Sequence, residues 1–307
     1  MYTITGATGN TGRRIAEALL AAGEKVRAVS RSAANLQPLV DQGAEPFIAS
    51  LEDPEATRQA FDGARAIYAM IPPNYAAEAF RAYQNQVAES IASAVESAGV
   101  QYVVSLSSLG ADQSEGVGPI GGLHDLEQRL NAVPDVNVLH LRPAFFMENF
   151  LFQAEIIKKT GAAGSPLQRD LSIPMVALRD IAAVAVERLQ KLDFSGKSYR
   201  ELLGQRDMSL PEAIAVLGNA IGHDGLAYVQ FQYDDFGRGM RNAGFSLDAA
   251  ASMMELYHAL NEGRVRPAAP RSAENSTATS IEQFAQIFAA IYGQQDSSEV
   301  RAADERR

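Results

Sequence analysis

The sequence predicts an α/β protein of the Rossmann type, with a doubly wound parallel sheet followed by a smaller, mostly helical C-terminal lobe. Three observations lead to this prediction. Short β-branched runs alternate with helical patterns through the first half, and a glycine-rich turn follows the first run. Strand, helix and strand at this spacing require crossover connections, which make neighbouring strands parallel. After residue 150 the alternation ends and helical segments dominate.

Each element follows from a local pattern of apolar residues, turn residues and helix caps. Asp53 and Pro54, for example, mark the start of a helix, because aspartate caps helices and proline suits their first turn. In chain order the predicted elements are the strand YTIT, a helix at 11–22, the strand KVRAVS (25–30), a helix ending near Gly43, the strand EPFIAS (45–50), the helix after Asp53, the strand RAIYAM (65–70), a helix at 75–98, the strand QYVVSLS (101–107), a short helix and the strand VNVLHL (136–141).

Composition excludes several classes of function. The formal net charge of −10 argues against a nonspecific grip on nucleic acid or anionic membrane, since both require cationic surface. The sequence contains no cysteine, and its four histidines form no metal-binding pair, so we expect no metal site. We find no signal-peptide pattern and no apolar run of membrane-spanning length, and we therefore expect a cytoplasmic protein.

The stretch GATGNTG (6–12) follows the first strand and opens a helix. Glycines at 6, 9 and 12 let the turn adopt positive φ and bring backbone N–H groups close to a pyrophosphate, and the helix N-terminus adds partial positive charge. The alternative is a tight strand-to-helix turn without a ligand. Its place after the first strand of a βαβ series favours nucleotide binding.

The end of the second strand indicates which dinucleotide is bound. A cofactor without a 2′-phosphate usually meets an aspartate or glutamate there, but this strand runs into Ser30-Arg31-Ser32. A guanidinium and two hydroxyls suit a phosphate, and we therefore predict NADP(H). The alternative is that Arg31 is a solvated turn residue.

With these motifs, the chain resembles the NmrA-like branch of the atypical short-chain dehydrogenases/reductases. That branch includes bacterial NAD(P)H:quinone oxidoreductase-like proteins and NADP-sensing regulators. The resembling stretches are GATGNTG (6–12), SRS (30–32), VVSLSSLGA (103–111), LRPAFFMENF (141–150) and LRDIAAVAVERL (178–189). They cover most of the first 190 residues, whereas the chain beyond 200 matches loosely, as a variable substrate lobe would.

The resemblance implies a set of cofactor-binding residues. Those expected around the pyrophosphate are Gly6, Thr8, Gly9, Asn10, Thr11 and Gly12, with Arg31 on the 2′-phosphate. Those expected around the central ribose are Ala69, Met70 and Ile71, and those expected to bracket the nicotinamide are Ser107, Pro143, Ala144 and Phe145. The chain departs from the family at Ser50, where an aspartate usually helps to orient the adenine.

The resemblance and the composition together predict an organisation. Residues 1–155 are expected to form the NAD(P)-binding Rossmann domain, with about 171–191 returning to its sheet. Residues 192–293 are expected to form the smaller α+β lobe for a substrate or partner, and 294–307 a flexible charged tail. The sequence leaves the oligomeric state open.

A proton donor of the usual kind is missing. Short-chain reductases carry Tyr-x-x-x-Lys, in which lysine lowers the pKa of the tyrosine, yet no tyrosine here has lysine four residues later. His124 lies in the corresponding segment and is the candidate catalytic residue, as a proton or hydrogen-bond donor. The alternative is a polar residue at the N-terminal end of a short helix, with Asp125 and Glu127 favourable near the positive end of the helix dipole.

Two functions of different class remain. The first is NADPH-dependent reduction of a quinone-like small-molecule electron acceptor, which requires no strong protein acid because the product anion is stabilised. The second is a non-catalytic NADP(H) sensor that acts through a protein partner. The sequence favours the reductase, with neither nucleic acid nor membrane as a partner.

Overall fold

The structure, a computed structural model, describes residues 1–304, with side chains described through residue 293. The chain divides into two compact units that exchange segments along the sequence. The first unit comprises Met1–Pro143, Leu178–Leu202 and Gly237–Pro270, and the second comprises Ala144–Ala177, Leu203–Phe236 and the chain from Arg271. The units are therefore interleaved along the sequence.

Within the described residues the strands are β1 Tyr2–Ile4, β2 Val26–Ser30, β3 Glu45–Ile48, β4 Ala66–Ala69, β5 Tyr102–Leu106, β6 Asn137–Pro143, β7 Phe145–Phe146, β8 Ala162–Ser165, β9 Ser172–Val176, β10 Lys197–Leu202, β11 Asp207–Ser209 and β12 Ala227–Gln230. The α-helices are α1 Asn10–Ala21, α2 Ala33–Val40, α3 Pro54–Phe61, α4 Phe80–Ser97, α5 Ile120–Ala132, α6 Gln153–Thr160, α7 Leu178–Lys191, α8 Leu210–Ala220, α9 Tyr233–Asn242, α10 Leu247–Asn261 and α11 Ile281–Asp304. A 3₁₀ helix, Met147–Phe152, precedes α6.

The first unit is built on a seven-stranded sheet in the order β10-β6-β5-β4-β1-β2-β3, in which all neighbouring strands are parallel. Strand β4 is buried along its whole length, as are Val103 and Val104 of β5. Burial on both faces is expected for strands covered by helices on either side. The order reverses between β1 and β4, which creates a crevice at the carboxyl ends of the strands. The predicted Rossmann-type fold is confirmed.

Helices cover the sheet through apolar faces. Helices α3, α4 and α5 pack side by side, and α1 packs with α7. One core cluster joins Val87 and Ile91 of α4 and Leu126 of α5 to the buried strand residues Ile67 and Val103. These helices bury large aliphatic side chains between themselves and the sheet, which contributes most of the driving force for this layer arrangement.

The second unit contains two small sheets, ordered β11-β9-β7 and β12-β8. Its helices α8 and α11 pack together, with Phe284 and Phe288 of α11 fully buried. A capping box fixes the start of α8: the Ser209 hydroxyl accepts from the Glu212 N–H, and the Glu212 carboxylate accepts from the Ser209 N–H at 2.8 Å.

One predicted strand lies in a different sheet. The stretch at about 171–191 was expected to return to the main sheet, but its strand β9 pairs with β7 and β11 in the second unit. Only its helix, α7, belongs to the first unit. The seventh strand of the main sheet is instead β10, which pairs with β6 over six residues. Strand β9 has the largely buried sequence SIPMV, whereas β10 has the polar, partly exposed sequence KSYREL and lies at the edge of the main sheet.

The C-terminal part of the described chain is the helix α11, which extends to Asp304. The flexible tail predicted at 294–307 falls on this region, and its residues 305–307 lie outside the described residues. Within the described residues, no helix is both long and apolar enough to cross a membrane.

Candidate active site

The turn between β1 and α1 is tightly packed backbone. Gly6 has φ of +59°, and its carbonyl accepts a hydrogen bond of 2.8 Å from the Gly9 N–H. A Cβ on Gly12 would overlap the Gly6 carbonyl oxygen, and a Cβ on Gly6 would lie 2.6 Å from the sulfur of Met70. Glycine is therefore required at positions 6 and 12 for this turn to close.

The N-terminus of α1 carries none of the features that usually satisfy a helix start. Gly9 is the N-cap, no side chain accepts a hydrogen bond there, and the first turn contains no acidic residue. Gly9 and Asn10 are exposed, so the first N–H groups are open to an anion. Thr11 is different, because it is buried and its hydroxyl accepts a hydrogen bond of 3.1 Å from the Tyr68 hydroxyl.

The end of β2 is tied to this turn. The hydroxyls of Thr8 and Ser30 lie 3.1 Å apart, so the turn and the strand end are held together. Arg31 follows and is exposed, and among the described residues it has no ion-pair partner. The Ser32 hydroxyl is used differently: it caps α2 by accepting a hydrogen bond from the Asn35 N–H. Of the three residues predicted to bind a phosphate at 30–32, Arg31 and Ser30 are therefore the candidates that remain.

The residues predicted near the ribose lie at the end of β4, and Ser50, named for the adenine, follows β3. Met70 is half-buried, packs against Gly6, and donates its N–H to the Thr5 hydroxyl at 3.0 Å. Ala69 and Ile71 are buried in the core cluster beneath the helices. Ser50 forms a local turn, in which its hydroxyl accepts from the Glu52 N–H at 3.3 Å.

The end of β5 carries a buried charged network. The Ser107 hydroxyl donates to Glu127 Oε1 at 2.5 Å, and Arg142 donates to both carboxylate oxygens of Glu127 at 2.9 and 2.5 Å. The side chains of Glu127 and Arg142 are 2% and 11% exposed. Because Ser107 donates inward and is itself buried, it has no free proton for a substrate.

Sequence reasoning did not find this network. One of its two alternatives for this segment placed Glu127 near the positive end of a helix dipole, but α5 begins at Ile120 and its first turn contains no acidic residue. A usable signal was present, because Glu127 stands on the apolar stripe of α5 between Leu126 and Leu130. A carboxylate on such a stripe needs a buried partner, which the structure identifies as Arg142.

His124 lies in the second turn of α5 and is half-buried. Its Nδ1–H donates to the carbonyl oxygen of Ala111 at 2.8 Å, since a carbonyl can only accept. This bond connects α5 to the loop that follows β5. In the neutral ring Nε2 therefore carries a lone pair and accepts, so His124 reaches a ligand as a donor only when both nitrogens are protonated.

The three remaining predicted residues lie in different units, Pro143 in the first and Ala144 and Phe145 in the second. Pro143 ends β6 in the first unit, is buried, and its carbonyl accepts from the Leu109 N–H at 3.0 Å. Phe145 belongs to the second unit, where it pairs with Met175 of β9 and packs edge-on against Phe150. Among the described residues, no group of three histidine, aspartate or glutamate side chains is arranged to hold a metal ion.

The fold and the glycine turn define the class of the protein, a Rossmann-type α/β protein with a turn typical of dinucleotide binding. The model of the NmrA-like family matches residues 2–286, and the chain belongs to that family. The resemblance drawn from the motifs is thereby confirmed.

Curated relatives carry reductase names. The chain is 27% identical to the NAD(P)H azoreductase of Xenophilus azovorans over 259 residues, which cover 84% of this chain and 86% of that one. It is also 27% identical to quinone oxidoreductase 2 of Escherichia coli strain K12 over 262 residues, which cover 83% and 85%. The crystal structure of an NADPH-dependent quinone oxidoreductase from Escherichia coli, complexed with NADPH, matches with a TM-score of 0.79 at 21% identity, covering 94% of this chain and 99% of that one.

Proposed function

We propose that the protein is an NADPH-dependent reductase of a small-molecule electron acceptor, with quinone-like compounds as the acceptor class. The single observation that carries the proposal is the closed glycine turn beside Arg31, which has no ion-pair partner in the part of the chain whose side chains are described. The names of the relatives support it, since they include an NAD(P)H azoreductase and a quinone oxidoreductase.

The residues fit a phosphorylated dinucleotide. The turn leaves no room for a side chain at Gly6 or Gly12 and little at Gly9, and it presents the uncapped N-terminus of α1, as a pyrophosphate requires. The hydroxyl pair of Thr8 and Ser30 fixes the distance between this turn and the end of β2. Arg31 would then hold the 2′-phosphate through charge-assisted hydrogen bonds.

The arrangement favours acceptors that need no protein acid. When bound, NADPH supplies a hydride from C4 of its nicotinamide ring. Ser107 is committed to Glu127, and the Nδ1–H of His124 is committed to Ala111, so neither offers a ready proton. A quinone that gains a hydride becomes a hydroquinone anion, which takes its proton from water. The chain's contribution is binding and orientation.

The test is a titration followed by an assay. Purified protein is titrated with NADPH and NADH by following nicotinamide fluorescence, and is then mixed with NADPH and a panel of quinones while the absorbance at the nicotinamide band is recorded. We expect tighter binding of NADPH and loss of absorbance with at least one quinone. Binding without turnover on any acceptor would favour the sensor function. Failure of both dinucleotides to bind would reject both functions.

A further inference from the structure

Three aromatic rings stack where the loop after β4 leads into α4. The ring centre of Tyr75 lies 4.4 Å from that of Phe245, with 13° between the two planes. The ring centre of Phe80 lies 5.7 Å from that of Tyr75, at 27°. Phe80 is only 3% exposed, whereas Tyr75 remains 37% exposed. The stack is therefore buried at Phe80 and open to solvent at Tyr75.

The backbone that carries Phe245 is fixed on both sides. Before it, α9 ends at a left-handed glycine, Gly244 with φ of +93°, and the Phe245 N–H donates to the Met240 carbonyl at 3.1 Å. After it, the Ser246 hydroxyl caps α10 by accepting from the Ala249 N–H at 3.0 Å. The Phe245 ring is thus presented from a short, ordered link between two helices.

The same link holds the loop after β4. The Ser246 N–H donates to the Tyr75 carbonyl at 2.8 Å, and the Asp248 carboxylate accepts from the Phe80 N–H at 2.6 Å. The second bond caps α4 from a distant part of the chain, since the N-cap of α4, Ala79, offers no side-chain bond. Tyr75 is therefore fixed through its backbone as well as its ring.

This arrangement lies at the edge of the sheet where an acceptor is expected. Helix α10 also packs on the loop after β5, because a Cβ on Gly118 would overlap the Ser252 carbonyl. The residues from 245 to 252 therefore contact the loops after both β4 and β5. A dinucleotide that crosses the switch point extends its nicotinamide end toward these two strands. On the proposed function, the acceptor would bind between the two loops, with Tyr75 on one of them.

The Tyr75 hydroxyl is available to a ligand. It makes no hydrogen bond within the part of the chain whose side chains are described. Two nearby tyrosines differ, since the Tyr68 hydroxyl donates to Thr11 at 3.1 Å and the Tyr83 hydroxyl donates to the Pro72 carbonyl at 2.7 Å. Burial raises the pKa of the Tyr75 phenol, so the group keeps its proton at neutral pH and can donate.

We infer that the Tyr75 hydroxyl donates a hydrogen bond to the acceptor oxygen that becomes anionic during reduction. The inference rests on the proposed function and specifies its substrate class as aromatic acceptors with a carbonyl oxygen. As the nicotinamide is oxidised, the quinone gains a hydride with its electron pair, and the resulting anion takes its proton from water. Tyr75 keeps its own proton. A fixed donor aimed at developing charge stabilises the transition state more than the ground state.

The first test uses redox-inert probes, so that it does not depend on turnover. At mildly alkaline pH, 4-nitrophenolate and its neutral isostere 4-nitrotoluene are titrated by calorimetry into the full chain, Y75F and Y199F, each with NADP⁺. Y199F is the control, because Tyr199 is exposed on β10 and two strands separate β10 from β4. We expect Y75F to weaken phenolate binding roughly tenfold and to leave nitrotoluene binding unchanged. Equal phenolate binding by Y75F and the unmodified chain, or no binding by either, overturns the inference.

A kinetic test separates the hydrogen bond from packing. Y75F is expected to lower kcat/KM for menadione about tenfold, with unchanged affinity for NADPH. It should not lower kcat/KM for malachite green, a cationic dye whose central carbon takes a hydride without forming an anionic oxygen. An equal loss for both acceptors would show that Tyr75 acts through packing and would overturn the inference. If no acceptor is reduced but phenolate binding still depends on Tyr75, the reductase proposal fails and the oxyanion site stands.

Discussion

Ser105 of β5 and His140 of β6 lie on neighbouring strands, with Ser105 Oγ 2.6 Å from His140 Nδ1. Nε2 of the same ring lies 3.0 Å from Asn131 Oδ1, and the ring is buried. Both ring nitrogens are thus engaged in the interior of the sheet. Burial disfavours the charged imidazolium and lowers the pKa of His140 to about 4.

This gives a pH dependence of stability with a definite sign. Because the folded pKa lies below the unfolded value of 6.5, the unfolded chain binds more protons between the two values, and stability falls as pH drops from 6.5 toward 4. We expect His140 to account for a loss of about 2 to 3 kcal/mol over that window. Urea unfolding at pH 7, 6 and 5 measures it. H140Q should show a weaker pH dependence, and an unchanged slope would contradict the assignment.

The ion pair of Glu127 and Arg142 leads to a second prediction. E127Q would leave the guanidinium of Arg142 nearly buried without a carboxylate, and we expect a loss of about 3 kcal/mol or more in the free energy of unfolding. The matched control is E89Q, which removes a carboxylate that is 69% exposed and pairs with Arg129 at 2.9 Å. That change should cost less than about 1 kcal/mol. Similar losses in the two variants, measured by urea unfolding, would show that burial of the pair contributes little.

Two substitutions distinguish a structural role of His124, which holds the loop after β5, from its predicted role as a proton donor. Asparagine can donate an N–H close to the position of Nδ1, so H124N should keep the bond to the Ala111 carbonyl and retain quinone reduction within about threefold. H124L removes the donor and should increase proteolytic cleavage in the loop after β5. If His124 supplies a proton to the acceptor, H124N should instead lower kcat by about a hundredfold or more.

The sequence predicts those parts of the candidate site that depend on local backbone conformation, the glycine turn and the end of β2. The turn at 6–12 can be predicted because glycine is required where a Cβ would overlap the backbone. The role of Arg31 can be predicted because no carboxylate stands at the end of β2. Six of the seven strands of the main sheet follow from the alternation of strands and helices over residues 1–143. These features are local, and local pattern determines them.

The other parts depend on contacts between distant residues. Glu127 and Arg142 meet only once α5 packs beside β6. The same limit explains why β9 lies in a small sheet and the polar strand β10 at the edge of the main sheet, since pairing between distant segments assigns each strand to its sheet.

Arg31 gives the prediction on which the cofactor assignment depends. R31E replaces a cation with an anion at the end of β2, so the 2′-phosphate of NADPH would lose its charge-assisted bonds and meet a repulsive group. We expect NADPH to bind at least about tenfold more weakly, and NADH to change by less than about threefold, because NADH has no phosphate there. R65E makes the same charge change at the opposite edge of the sheet and should leave both affinities unchanged. Fluorescence titration of the three proteins provides the comparison, and an equal loss for NADPH and NADH in R31E would remove the preference for the phosphorylated cofactor.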